Sequence, residues 1–77
     1  MHCRVYIKPD GSLAVLRPNP RCQARGEDDL DFVHRIASRD AGELAGLPFV
    51  DVLVDSLPPR STRKGWRIRN GRVMVEP

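Results

Sequence analysis

Asn70-Gly71 stands between Trp66-Arg-Ile-Arg69, which alternates apolar and polar residues, and Arg72-Val-Met-Val75. Asn and Gly both tolerate the positive φ of a type I′ turn, whose twist lets the flanking strands pair. The register follows: Arg69 opposes Arg72, Ile68 opposes Val73, Arg67 opposes Met74 and Trp66 opposes Val75. Successive strand side chains point to opposite faces. Trp66, Ile68, Val73 and Val75 therefore share an inner face, and Arg67, Arg69, Arg72 and Met74 an outer one. A second hairpin stands at the other end. Cys3 to Lys8 alternate, Pro9-Asp10-Gly11 suits a bulged three-residue loop, and Leu13 to Arg17 return. With Lys8 opposite Ser12, Ile7 meets Leu13 and Val5 meets Val15 on one apolar face. Arg4, Tyr6 and Lys8 then face water.

Between the hairpins, Pro18 and Pro20 stop the second strand because neither donates to a ladder. Residues 21–26 read as loop. Glu27-Asp28-Asp29-Leu30-Asp31 then places acid where the positive end of a helix dipole favours it, with Asp28 as N-cap. Leu30, Val33, Ile36 and Ala37 recur at helical spacing, and Phe32 with Ile36 adds an (i, i+4) pair. Asp31 and Arg35 are spaced for a surface ion pair. The helix should end near Asp40–Gly42, with one further turn over residues 43–46. Phe49-Val-Asp-Val-Leu-Val54 is β-branched and too short for a buried helix, so it reads as a strand with Val50, Val52 and Val54 inward. Residues 57–65, with Pro58 and Pro59, read as a long basic loop.

The order is ββαβββ. It predicts one small α+β domain over residues 1–77. Hairpins 3–17 and 66–75 and strand 49–54 would form one mostly antiparallel sheet, with helix 28–40 over one face. The expected core is Val5, Ile7, Leu13, Val15, Leu30, Val33, Ile36, Val52, Trp66, Ile68 and Val73. A chain of 77 residues buries only about 60% of its unfolded surface, which leaves no room for a second core.

The same residues argue against several kinds of chemistry. No G-x-S-x-G elbow frames Ser12, Ser38, Ser56 or Ser61. His34 is the one candidate general base, on a helix surface with no positioned partner. The glycines occur singly, so no phosphate-cradling G-x-G-x-x-G or P-loop exists. Asp28, Asp29 and Asp31 lack the calcium-loop pattern. His2, Cys3, Cys22 and His34 lack zinc spacing, and the adjacent His2-Cys3 pair would point to opposite strand faces. Two cysteines 19 residues apart are a weak disulfide framework, and a reducing cytosol would keep them as thiols. The expectation is a non-enzyme with no cofactor and no metal. The longest apolar run, Leu13 to Leu16, cannot span a bilayer. Met1-His2-Cys3-Arg4 has no secretory core, so the expected location is cytoplasmic, with no membrane partner.

What remains is charge. The net charge of +3 hides three blocks: basic to Arg25, acidic from Glu27 to Asp55, and basic again from Arg60. The last block supplies the candidate binding residues. Arg60, Arg63 and Lys64 lie in the loop and are free to swing beside Arg67, Arg69, Arg72 and Met74 on the outer hairpin face. Guanidinium forks pair bidentately with carboxylate or phosphate, and Met74 adds adaptable apolar contact. In one reading this stripe meets an anionic partner. In the other it is a solvated edge that resists strand pairing, or it neutralises the acidic helix internally.

The chain also resembles small accessory proteins encoded by bacteriophages and prophages. The similar stretches are Tyr6-Ile-Lys-Pro-Asp-Gly-Ser-Leu-Ala-Val15, the acidic-start helix ending Ser38-Arg-Asp40, Pro48-Phe-Val-Asp-Val52, Leu57-Pro-Pro-Arg60, Arg63-Lys-Gly-Trp-Arg67 and Gly71-Arg-Val73. The resemblance carries no catalytic residues. It implies an accessory protein of a bacterial cytoplasm that binds stoichiometrically, as host-defence antagonists such as anti-CRISPR proteins do. Many of those are acidic DNA mimics; this chain departs from them by being basic outside its helix. The functional expectation is an inhibitor or adaptor occupying a host protein or nucleoprotein complex, such as a CRISPR effector. Direct nucleic-acid binding by the basic hairpin and a structural role in the virion are the alternatives.

Overall fold

A computed structural model describes residues 1–76. β1 (His2–Ile7) and β2 (Leu13–Leu16) form the first hairpin, in the expected register of Val5 with Val15 and Ile7 with Leu13. α1 (Asp29–Asp40) starts on Asp28, whose carboxylate accepts from the Leu30 and Asp31 amides. β3 (Phe49–Leu53) returns antiparallel on the far side of β1, giving the order β2-β1-β3. β4 (Trp66–Arg69) and β5 (Arg72–Val75) pair as the Asn70-Gly71 turn requires, with Asn70 at φ 52° and Gly71 at φ 73°. The result is a small α+β fold with all its strand pairs antiparallel.

The second hairpin does not join the first sheet edge to edge. β4 and β5 form a separate two-stranded sheet that lies face-on against the first. The reason is the way β1 is used. Its odd-numbered face carries Cys3 and Val5, flanked by Leu13 and Val15 on β2 and Val50 and Val52 on β3. Trp66 and Val73 cover that face and complete a buried cluster, with Ile68, Val54 and Leu57 packed around it. The helix takes the opposite, even-numbered face. β1 is therefore sandwiched, with Cys3, Arg4, Val5 and Tyr6 all buried.

Several expectations change as a result. Tyr6, expected in water, is 3% exposed, and Arg4 is 6% exposed. Burying a guanidinium is unfavourable unless it is paired and hydrogen-bonded. Arg4 satisfies that condition against its cross-strand partner Asp51, donating from Nε at 2.8 Å and Nη2 at 3.0 Å. Its guanidinium carbon also lies 3.8 Å from the Phe49 ring centroid. Leu30, expected in the core, is 47% exposed, because Phe32, Val33, Ile36 and Ala37 are the helix residues that reach the sheet. Arg35 does not pair with Asp31. It forks onto Glu27 at 2.8 and 2.9 Å and donates to the Cys22 carbonyl. β3 stops at Leu53, since Val54–Ser56 form a 3-10 turn. Ile7, Leu13, Val15 and Ile68 are only half-buried. Cys3 is fully buried and Cys22 exposed, both as free thiols.

Candidate functional site

The basic block begins where Pro58-Pro59 ends the chain's excursion from β3. Arg60–Gly65, expected as loop, winds as a 3-10 turn that delivers the backbone to Trp66. Thr62 holds that turn twice: its hydroxyl donates to the Pro59 carbonyl and accepts the indole N–H of Trp66 at 3.0 Å. The one tryptophan is thereby buried with its only donor satisfied. At Gly65 the chain passes so close to the strand after β5 that a Cβ would sit 2.6 Å from the Glu76 carbonyl oxygen. The Glu76 amide in turn donates to the Gly65 carbonyl at 2.8 Å.

On this frame the seven candidate residues separate. Arg67, Arg69, Arg72 and Met74 all stand on the exposed face that their register assigns. Arg69 is neutralised, however, by Glu76 at 2.8 Å. Arg72 and Met74 line a hollow shared with Leu53 and His2, toward the β3 edge. Arg63 does not swing freely. It donates to the Leu13 carbonyl at 2.9 Å and lies 5.0 Å from the Trp66 ring centroid. Arg60 and Arg63 share a hollow with Arg17, while Lys64 and Arg67 share the next one with Arg63. A third hollow continues past Lys64 and Arg67 to Asp10, which marks its end. The cations thus form a track along the 3-10 turn, from Arg17 through Arg60, Arg63 and Lys64 to Arg67.

Arg17 is the residue that sequence reasoning missed. It lies two residues beyond Val15, on the face of the first hairpin that the second hairpin covers. Period two alone would have pointed it toward Trp66, had the covering layer been known.

The acidic block does not neutralise this track, contrary to one of the sequence readings. Four of its eight carboxylates are ion-paired elsewhere: Glu27 by Arg35, Asp29 by His2, Asp40 by Arg39 and Asp51 by Arg4. Asp28 caps the helix, and Asp10, outside the acidic block, accepts from the Ser12 amide and hydroxyl. The consequence for Glu27 is a pKa lowered to about 2 by the Arg35 fork and the Ala24 amide. The hydrogen bond from His2 likewise holds Asp29 below the usual range. Among the described residues, Arg17, Arg60, Arg63, Lys64, Arg67 and Arg72 have no carboxylate within ion-pair distance.

Other chemistry has little to work with. His34 is exposed. Burial raises the Cys3 thiol pKa, with the nearby Arg17 charge only partly opposing it, so the thiolate form is disfavoured. Among the described residues no three His, Cys, Asp or Glu side chains converge as metal ligands would, and no helix is long and apolar enough to cross a membrane. No protein-family model matches the chain, and no curated protein or solved structure matches it significantly.

Proposed function

We propose that this chain is a non-enzymatic binding protein whose basic track occupies an anionic surface of a host protein or nucleoprotein complex. The observation that carries the reading is the division of charge. Five of the eight carboxylates of the acidic block are engaged within the fold, as ion pairs or as the helix cap, whereas the cations from Arg60 to Arg67, with Arg17 and Arg72, are left unpaired among the described residues. Unpaired cations on one surface repel one another, and an anionic partner relieves that repulsion while steering association. Rigidity supports the same reading. Arg63 is held by a carbonyl and an indole face, so less side-chain entropy is lost on docking.

The setting comes from the resemblance to small phage and prophage proteins: an accessory protein or inhibitor acting in a bacterial cytoplasm, with a defence complex such as a CRISPR effector as the kind of target. Affinity capture from a bacterial lysate tests it. The wild-type chain should retain a discrete partner that is released by raised salt, and Arg60→Glu/Lys64→Glu/Arg67→Glu should retain none. Retention of the same partner by the folded variant would refute the assignment. Direct nucleic-acid binding is the second reading, favoured by the arginine-lined hollow at one end of the track.

A further inference from the structure

Arg17, Arg60 and Arg63 line one hollow of about 190 Å³, walled by Val15, Pro58 and Trp66. We propose that this hollow is a receptor for a phosphate group, and that the track beyond it carries the neighbouring phosphates of a nucleic-acid strand. The inference rests on the reading of the basic track as the contact surface and adds the chemistry of what it contacts.

The size argues first. Pockets for whole drug-sized ligands start at about 300 Å³, so this one takes a single anionic group rather than a cofactor. Its lining argues second. Three arginines and no carboxylate contribute to it. Guanidinium forks match the oxygens of phosphate and can pair with them bidentately. Pre-organisation argues third. Arg63 is fixed by the Leu13 carbonyl and the Trp66 ring, Arg60 directly follows Pro58-Pro59, and Arg17 directly precedes the buried Pro18. The continuation argues last. Arg63 and Trp66 also line the next hollow with Lys64 and Arg67, so the receptor opens onto a line of cations instead of a closed wall. A polymer with regularly spaced phosphates fits such a line; a lone metabolite would leave Lys64 and Arg67 unused. Trp66 is 3% exposed, so bases are not stacked on it and the contact is to backbone, without sequence preference.

Trp66 is the only tryptophan and walls the hollow, so its emission reports occupancy. Inorganic phosphate, titrated into the full chain at constant ionic strength, should shift that emission saturably, and acetate should not. Arg17→Gln/Arg60→Gln should weaken the response at least tenfold, with Arg17→Lys/Arg60→Lys intermediate because charge persists without the fork. Both arginines are exposed, and circular dichroism of each variant checks the fold. A fluorescein-labelled oligothymidylate should then bind with a salt dependence whose log–log slope falls by about 0.7 in the Gln variant, the loss of one single-strand phosphate contact.

Absence of a saturable phosphate response, an equal response to acetate, or an unchanged response in the Gln variant overturns the receptor. Phosphate binding without oligonucleotide binding overturns the nucleic-acid assignment, and so does displacement of the oligonucleotide by polyglutamate at equal charge. A lysate partner still captured by the Gln variant, with no phosphate response in wild type, removes this inference and leaves the broader proposal standing.

Discussion

Arg4 occupies a position that alternation assigns to water, yet it lies beneath the helix with Asp51 opposite and Phe49 against its guanidinium. Once such a pair is out of water, removing one partner strands the other. Asp51→Asn should therefore cost about 3 kcal/mol in urea unfolding, the low end for a buried pair because Asp51 keeps some solvent contact. Arg4→Met/Asp51→Leu should recover most of that loss. A single variant of wild-type stability would show the pair to be solvated. Glu27 contributes to the acid limb alongside Asp10, Asp29 and Asp40, whose carboxyls are also held low. Its carboxyl titrates near 2 when folded, against an ordinary 4.5, so the folded state binds fewer protons than the unfolded one between these values. The stability it contributes is complete above about pH 4.5 and disappears as pH falls toward 2. Urea midpoints measured across that window should drop steeply in the wild type and less in Glu27→Gln. The two thiols differ in access. Cys22 alone should react with a thiol reagent in the native chain, and Cys3 only after denaturation; two native equivalents would contradict the burial of β1.

At the scale of elements, the turns and caps were legible because their chemistry is local. Asn70-Gly71 dictates register through backbone φ alone, and the four pairs from Trp66–Val75 to Arg69–Arg72 follow. Asp28 caps α1 through its own carboxylate, so Asp28→Ala should destabilise by about 1 kcal/mol. Gly71→Ala forces a Cβ into the left-handed region at φ 73° and should cost about 1–2 kcal/mol, with Trp66 emission moving red as the hairpin frays. Gly65→Ala is harsher in kind, because its Cβ meets backbone rather than a flexible side chain, and the turn must shift to admit it. The Arg35–Glu27 fork was not legible. Helical spacing favours Asp31, and Glu27 enters only because the loop before the helix folds back and presents its carboxylate, anchored by the Ala24 amide. Leu30 failed for a related reason: the apolar stripe of α1 is centred on Phe32, Val33 and Ile36, one residue around from it.

The layering of the whole molecule was the least legible part. Period two says that a strand has two faces but not whether the second is covered, and Arg4 and Tyr6 made the even face of β1 look wet. Likewise, a hairpin that extends a sheet and one that caps it share the same alternation. Only the packing of Trp66 and Val73 onto Cys3, Val5 and Val52 tells them apart. That layering brings Arg17 of the first hairpin beside Arg60 and Arg63 of the turn, so the candidate surface spans both ends of the chain. It also divides the predicted residues, with Arg69 paired to Glu76 and Arg72 and Met74 turned toward Leu53. The central claim is that the track, and not net charge, makes the contact. Two variants with the same change in net charge separate these. Lys64→Glu/Arg67→Glu alters the track, while Arg21→Glu/Arg25→Glu alters the loop whose Cys22 carbonyl Arg35 ties to the helix. Affinity capture from a bacterial lysate, compared at one salt concentration, should lose the partner in the first variant and keep it in the second. Equal loss in both, or retention in both, would contradict the account.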